Sequence, residues 1–310
     1  IDSAYWLRYG EDTILNLNDC PVSESWLEEW LDHHPRPDVA LGAFSYASPY
    51  PVCYDVQGQD REGLLAENVS EVLSSFAKTM GLLKPQYAIP FATQYGFFLP
   101  GSEWMTQHIP TPQTAIETIT ENFPDVNGVL LNPSDRLSVK TGKMVPGPVF
   151  DWNARDREAT SEIKRRRGEI ERVVTDEPHP PKDLFERFAT YFTRIISRNW
   201  LLRRKLPTHI AFLAEPNTDW WVIDCKARKV YSSTNEPPDA SVSIRLPGSL
   251  LFAAIDGHLN WETLYLSNRL HVTLDKQELD REWQFWRMLF NFPDGIFRDR
   301  LTLLSSRGRR

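Results

Sequence analysis

Hydrophobic residues in the first half of the chain switch between the spacing of strands and the spacing of helices. Residues 4–9 and 13–18 flank a turn that contains a glycine, and they predict a β-hairpin. A helix is predicted to begin after the N-cap Ser23 and to stop at Pro35. A buried strand, a long amphipathic helix and another strand follow at residues 39–44, 61–83 and 87–91. This β-β-α-β-α-β order predicts a layered α/β arrangement in which helices cover a sheet.

The second half groups its strands between helices. Residues 153–181 are rich in charge and proline and are interpreted as a connector with some helix. The basic run 164–167 either binds an anionic partner or forms a solvated helix face, and the glutamates of the surrounding segment favour the solvated face. Apolar residues at helical spacing then run from Leu184 to Ile196. Strands are predicted at 209–213, 219–224, 229–231, 240–246 and 271–274, and helices at 247–255 and 278–290. This grouping predicts an α+β domain.

Composition narrows the classes of function. The formal charge of -7 and the pI of about 5.6 argue against a nucleic-acid partner, because such binding draws on clustered Lys and Arg. No apolar run approaches the roughly 20 residues of a membrane helix, and the N-terminus lacks a signal-peptide pattern. Cys20, Cys53 and Cys225 have no metal-type spacing and favour reduced thiols. We therefore expect a cytoplasmic protein that acts on a small molecule.

The chain begins at Ile1, only a few residues before its first predicted strand. We interpret this start as the sign of a preceding segment that belongs to the same fold. If half of a sandwich is missing, the N-terminal sheet is expected to show an uncovered apolar face, whereas a fully covered sheet would count against a fragment.

Asp19 is the first candidate for chemistry, because the run Asn18-Asp19-Cys20 ends a predicted strand. Ligand sites of α/β folds form at strand ends, and both oxygens of a carboxylate can bind cations. The alternative is that Asp19 only forms a turn before Pro21. From these residues alone, the turn is the favoured interpretation.

Several runs occur in the order found in CMP-N-acetylneuraminate hydroxylases and their bacterial relatives. They are TILNLNDCP, DVALGAFSYASPYP, KPQYAIPFATQYGFF, LSVKTGKM and HLNWETLYLSNRLHVTLDKQELDREWQFWRMLF. The chain resembles this family over most of its length. The family joins a Rieske iron–sulfur domain to a metallo-β-lactamase-type domain and hydroxylates the N-acetyl group of a CMP-linked sialic acid with oxygen. The resemblance therefore implies a metal-dependent oxygenase whose substrate is a small molecule such as a nucleotide sugar.

The resemblance also implies roles for particular residues. Asp19 matches the strand-end aspartate that bridges metals in the metallo-β-lactamase superfamily, and Cys20 is either a soft ligand or a buried thiol. Where many hydrolases of the superfamily have a metal-binding histidine, this chain has Ala92, which disfavours a two-zinc hydrolase. Thr93 and Gln94 are candidates for contact with the substrate or with a metal-bound water.

The chain lacks the superfamily motif H-x-H-x-D-H and the paired Cys and His motifs of a Rieske centre. His33 and His34 are adjacent, so they cannot chelate as an i, i+4 pair would, and a helix-capping role is favoured. The other histidines are isolated: His108, His179, His209, His258 and His271. The resemblance therefore implies an iron or zinc site ligated mostly from upstream of Ile1 or from a companion chain. It further implies a Rieske cluster in a preceding domain and an electron-transfer partner.

A second resemblance covers DASVSIRLPGSLLFAAIDGHLNWETLYLSNRLHVTLD, which is similar to sterol-carrier-type domains. The aromatic residues of this domain either line an apolar tunnel or fill the core, and the core is favoured; they are Trp220, Trp221, Trp283, Phe285 and Trp286. The predicted fold class is therefore α/β plus α+β, with the second half of a metallo-β-lactamase-type αββα sandwich at 1–152, the connector at 153–181 and a sterol-carrier-like domain at 182–310. A hydrolase and a non-catalytic module that binds a small molecule or lipid are the alternatives to a hydroxylase.

Overall fold

The segment Ser48–Arg61 lies within the first half of the sequence but packs with the second half. The structure is a computed structural model that describes residues 3–20, 22–45, 48–91, 106, 108–148, 151–199 and 203–291. One unit comprises Ile1–Ala47 and Glu62–Arg166, and the other comprises Ser48–Arg61 and Arg167–Arg310. The prediction assigned all of residues 1–152 to the first domain, whereas the structure places Ser48–Arg61 in the second unit.

The first unit contains a four-stranded sheet in the order β1-β2-β3-β5. β1 and β2 form the predicted antiparallel hairpin, while β2, β3 and β5 are parallel to one another. The strands are β1 (Tyr5–Tyr9), β2 (Asp12–Asn16), β3 (Val39–Gly42) and β5 (Tyr87–Pro90). A separate pair, β6 (Arg136–Leu137) with β7 (Met144–Val145), lies in the same unit. The alternation of strands and helices that the sequence predicted is confirmed here.

Three helices accompany this sheet: α1 (Glu24–His33), α2 (Arg61–Leu83) and α3 (Pro112–Asn122). Ser23 caps α1 as predicted, because its hydroxyl accepts a hydrogen bond from the Trp26 amide at 3.2 Å. His34 follows the last turn, and its Nδ1 lies 3.0 Å from the Trp30 carbonyl, which confirms a capping role. Helix α3 was not predicted from the sequence, although its Thr111 cap followed by Pro112 is a helix-start signature.

The helices bury one face of the sheet. Leu15 and Ala40 on this face pack with Leu27 of α1, Phe76 of α2 and Ile119 of α3 in one cluster. The opposite face is covered over β3 and β5, where Val39, Tyr87 and Ile89 pack with residues from the 126–145 region, namely Val129, Leu131, Leu137 and Val139. β2, β3 and β5 therefore contribute side chains to both layers by simple alternation.

The second unit contains a six-stranded sheet in the order β10-β9-β8-β11-β12-β4. β8 pairs in parallel with β11, and β12 pairs in parallel with β4, while the other pairs are antiparallel. The strands are β4 (Tyr54–Val56), β8 (His209–Glu215), β9 (Trp220–Asp224), β10 (Lys229–Ser233), β11 (Val242–Pro247) and β12 (His271–Leu274). Its helices are α5 (Leu184–Arg198), α6 (Gly248–Ile255), α7 (Trp261–Leu266) and α8 (Leu279–Asn291), and α4 (Arg155–Thr175) contains the boundary between the units.

Aromatic rings fill the interior of the second unit. Phe192 of α5 lies 5.6 Å from Phe212 of β8 and 6.0 Å from Phe285 of α8, measured between ring centroids. Trp261 and Trp286 are fully buried in the same group, with their centroids 6.4 Å apart. The interpretation that the aromatic residues fill a core therefore holds for these rings. None of the described helices combines the length and apolar character needed to cross a bilayer.

Gly81 allows α2 to pack closely against Phe123. A β-carbon at position 81 would overlap the Phe123 ring, whereas one at Gly168 would meet nothing within 4 Å. We expect Gly81→Ala to lower the free energy of unfolding by about 1–3 kcal/mol through overpacking. The matched change Gly168→Ala, in the exposed part of α4, is expected to raise it by about 0.5–1 kcal/mol. Urea denaturation of both variants tests this, and equal effects would show that Phe123 moves aside freely.

Candidate functional site

A cleft of about 330 Å³ opens at the carboxyl ends of β2 and β3 in the first unit. After β2 the chain turns at Asn18, whose φ of 53° is left-handed, and the Cys20 amide donates to the Leu17 carbonyl at 3.0 Å. The Ala43 amide donates to the Asn18 carbonyl at 3.0 Å, so the two strand ends are held side by side. This is the edge where α/β folds commonly bind ligands.

Helix α2 forms the other wall of this strand-end cleft, with Val72, Ser75, Phe76, Thr79 and Met80 facing it. The wall lies close to β3 because residue 42 is glycine. A β-carbon at Gly42 would meet the Met80 methyl group at 3.0 Å. The cleft is therefore narrow, and it combines apolar side chains with hydroxyl groups.

Asp19 lies where the sequence placed it, on the turn after β2 and at the border of the cleft, with an exposed side chain. Cys20 is half-buried beside it, and Cys20, Cys53 and Cys225 form no disulfide. Within the described ranges, no group of three or more His, Cys, Asp or Glu side chains converges as metal ligands do. The described residues therefore do not make up a metal site by themselves, and the role of Asp19 as a ligand stays a prediction.

Ser45 is a residue of the cleft that the sequence analysis missed. Its side chain is only 8% exposed, and its hydroxyl has no hydrogen-bond partner among the described residues. A buried hydroxyl without a partner costs roughly 1–3 kcal/mol, and such groups are rare in folded proteins. No sequence signal reveals it, because the lack of a partner is a property of the packing. The Ser45 hydroxyl is therefore a buried, unsatisfied polar group in the lining of the cleft.

Among the other residues singled out from the sequence, some are not described and others lie in the second unit. Thr93 and Gln94, with Ala92 before them, lie outside the described residues. Three of the isolated histidines form pairs with aspartates in the second unit: His209 Nδ1 lies 3.1 Å from Asp239 Oδ2, His258 Nε2 3.1 Å from Asp256 Oδ2, and His271 Nε2 2.9 Å from Asp55 Oδ2. These three histidines therefore pair with separate aspartates and do not converge on a shared site among the described residues.

The second unit has a larger groove, of about 640 Å³, at the N-terminal end of α5. Its floor contains Phe185 and Trp221, whose ring centroids are 5.6 Å apart. Trp221 is buried and Phe185 is half-buried, so the Phe185 ring is the part of the floor that a ligand can touch. The rim is polar and exposed, and it includes Lys182, Asn217, Thr218, Asp219 and Ser232. We name this feature the α5 groove.

A carboxyl group is buried in the aromatic interior of the same unit. Glu282 of α8 is only 2% exposed. Tyr54 donates a hydrogen bond to Glu282 Oε1 at 2.8 Å, and the Trp286 indole donates to the same oxygen. The Tyr54 hydroxyl also lies 3.0 Å from that of Tyr265. Glu282 thus holds Tyr54, and with it strand β4, in the second unit.

Burial dominates the electrostatics of this group. It raises the pKa of Glu282 from its ordinary value to about 7, against the hydrogen bonds from Tyr54 and Trp286, which lower it. Burial, followed by the nearby Glu282 charge, raises the pKa of Tyr54 and of Tyr265 as well. The sequence contains a signal for Glu282, because it falls at helical spacing with Phe285, Trp286 and Leu289, and it is the acid on that stripe.

Comparisons with known proteins leave the family open. No family model and no curated protein matches the chain. Among solved structures, "UbiJ-SCP2 Ubiquinone synthesis protein" is similar over 36% of this chain and 94% of its own, at 18% identity and a TM-score of 0.26. "Sterol Carrier Protein 2 from Yarrowia Lipolytica (apo form)" is similar over 36% and 86%, at 15% identity and a TM-score of 0.22. With TM-scores below 0.5, these likenesses carry no weight for the function of this chain.

Glu282 is expected to make the stability of the protein depend on pH. Between pH 4.5 and pH 7 the folded protein keeps the proton of Glu282, which the unfolded chain has released. The contribution of Glu282 to the free energy of unfolding should therefore be highest below pH 4.5, fall by up to about 3 kcal/mol on the way to pH 7, and stay level above it. Urea denaturation across pH 4–8, followed by tryptophan fluorescence, measures this.

Glu282→Gln keeps an oxygen acceptor for Tyr54 and Trp286 but carries no proton to release. It should therefore remove this part of the pH dependence. Glu262→Gln, on the exposed side of α7, is the matched control and should leave the dependence unchanged. An equal slope in Glu282→Gln and in the unchanged protein would contradict the assignment of the slope to Glu282.

Proposed function

We propose that this chain is a non-catalytic binding protein for a small amphipathic molecule, which it holds in the α5 groove. The observation that carries the proposal is the lining of the groove, in which an accessible ring of Phe185 lies over buried Trp221 and beneath a polar rim. Ligand pockets commonly measure about 300–1,000 Å³ and combine apolar walls with a few polar groups. The α5 groove, at about 640 Å³, has both properties.

The polarity of the rim favours an amphipathic ligand over a purely apolar one. Lys182 and Asp219 place opposite charges there, and Asn217, Thr218 and Ser232 add neutral hydrogen-bonding groups. An apolar ligand would desolvate these groups without replacing their bonds to water, which costs free energy. A ligand with a polar end and an apolar body pairs with the rim and covers the Phe185 ring.

Phe185→Ala is expected to weaken binding of a fluorescent fatty acid by about tenfold or more, because the ligand loses contact with the ring. Titration monitored by the fluorescence of the bound probe measures the dissociation constant. Tyr231→Ala is the matched control, since Tyr231 is an exposed ring that precedes Ser232 on β10 and does not line the groove. Equal affinities in Phe185→Ala and in the unchanged chain would exclude the groove as the binding site.

The strand-end cleft supports a second candidate function, the binding of a polar small molecule. Asp19 is the one charged side chain among the described residues that line the cleft, Ser75 and Thr79 add hydroxyl groups, and the buried Ser45 hydroxyl has no partner among the described residues. A ligand with hydroxyl groups or a positive charge suits this lining. An anionic nucleotide sugar does not, because no described lining residue supplies a cation for its phosphate groups. The hydroxylase that the first resemblance implies therefore gains no support from this cleft.

The predicted role of Asp19 in cation binding has a direct test. If Asp19 is a ligand, Asp19→Ala should lower the affinity for Zn²⁺ or Fe²⁺ by at least about tenfold, as the loss of a group in a metal site does. Isothermal titration calorimetry under anaerobic conditions measures both metals. Asp12→Ala, at the other end of β2, is the matched control. Equal metal affinities in the Asp19 and Asp12 variants would rule out Asp19 as a metal ligand.

A further inference from the structure

Strand β1 presents an apolar face to solvent. Tyr5, Leu7 and Tyr9 alternate along it, and their exposed fractions are 56%, 55% and 88%. Trp6 points the other way and packs with the helix-covered core, which fixes the face of β1 that is buried. Three adjacent large apolar side chains on one strand face form a patch of the kind that marks interaction sites.

This patch is confined to β1. On the same face of the sheet, Ile14 of β2 and Leu41 of β3 pack with the cluster that contains Val39, Tyr87 and Ile89. β1 is also the edge strand, so the backbone groups on its outer side have no strand partner within the described ranges. Edge strands are usually protected by lysine, proline or a bulge, and β1, Tyr-Trp-Leu-Arg-Tyr, has only Arg8.

We propose that β1 pairs in antiparallel fashion with β1 of a second copy of this chain, which joins two four-stranded sheets into one of eight strands. A two-fold axis at Leu7 would bring the same patch of each copy together, as isologous interfaces do. The outer backbone groups of both edges then pair with each other. The proposal does not depend on either binding site described above.

The order of residues in β1 favours its own copy as the partner. In a register centred on Leu7, Tyr5 lies opposite the partner's Tyr9, and Leu7 lies opposite the partner's Leu7. On the other face, Arg8 lies opposite the partner's Trp6, which allows a cation–π contact in both halves of the interface. A register centred on Arg8 would instead oppose two arginines. Like-charge repulsion therefore disfavours the register centred on Arg8, and the sequence of β1 is close to symmetric about Leu7.

Sedimentation velocity of the 310-residue chain between about 1 and 100 µM tests the proposal. A five-residue strand makes a small interface, so we expect a dimer with a dissociation constant of about micromolar order. Leu7→Lys should raise that constant by at least about tenfold, because two ammonium groups would oppose each other on the axis. Val145→Lys, an equally exposed apolar position on β7, should leave it unchanged. Circular dichroism confirms that both variants are folded.

Cysteine cross-linking tests the register itself. Leu7→Cys should form a disulfide-linked dimer under mild oxidation, because the two cysteines lie directly opposite each other. Arg8→Cys should not, because it faces the partner's Trp6. The unchanged chain gives the background from the native cysteines. A monomer at 100 µM, a dimer that Leu7→Lys leaves intact, or equal cross-linking at both positions would overturn the proposal.

Discussion

Parallel pairing of β2, β3 and β5 is the constraint on which the first unit depends. A tight turn cannot join two parallel strands, so the chain must cross over between them through a longer connection, usually a helix. Helix α1 lies between β2 and β3 in the sequence, and α2 lies between β3 and β5. Both helices bury one face of the sheet. The carboxyl ends of β2 and β3 then meet at one edge, which is why the strand-end cleft lies there and has α2 as its wall.

A buried carboxyl group has a comparable role in the second unit. Placing Glu282 among aromatic rings is costly unless its oxygens are hydrogen-bonded, and Tyr54 and Trp286 supply donors to Oε1. Tyr54 begins β4, which pairs with β12 at the edge of the six-stranded sheet. The polar contact thus specifies where a segment distant in sequence attaches. Apolar packing alone would position it less uniquely, because apolar contacts have little directional preference.

The two candidate binding sites differ in chemistry as well as in place. The α5 groove offers an aromatic surface beneath a rim of mixed charge. The strand-end cleft is half that volume and offers hydroxyl groups, one carboxylate and the wall of a helix. The two surfaces therefore suit different ligands, an amphipathic molecule in the α5 groove and a polar one in the strand-end cleft. The function proposed above, binding of a small amphipathic molecule, rests on the lining of the α5 groove.

The sequence by itself determined most of the secondary structure and the position of Asp19 at the end of β2. Hydrophobic periodicity and helix capping depend on residues close together in the sequence. The β1–β2 hairpin, the Ser23 cap and the apolar face of α5 were therefore predictable. β4 was missed because a three-residue strand has no periodic pattern, and its partner β12 lies more than 200 residues away. Only the tertiary structure decided that the Ser45 hydroxyl has no hydrogen-bond partner among the described residues and that Glu282 receives two donors. Each of these depends on which distant residues come into contact, and local sequence does not encode that.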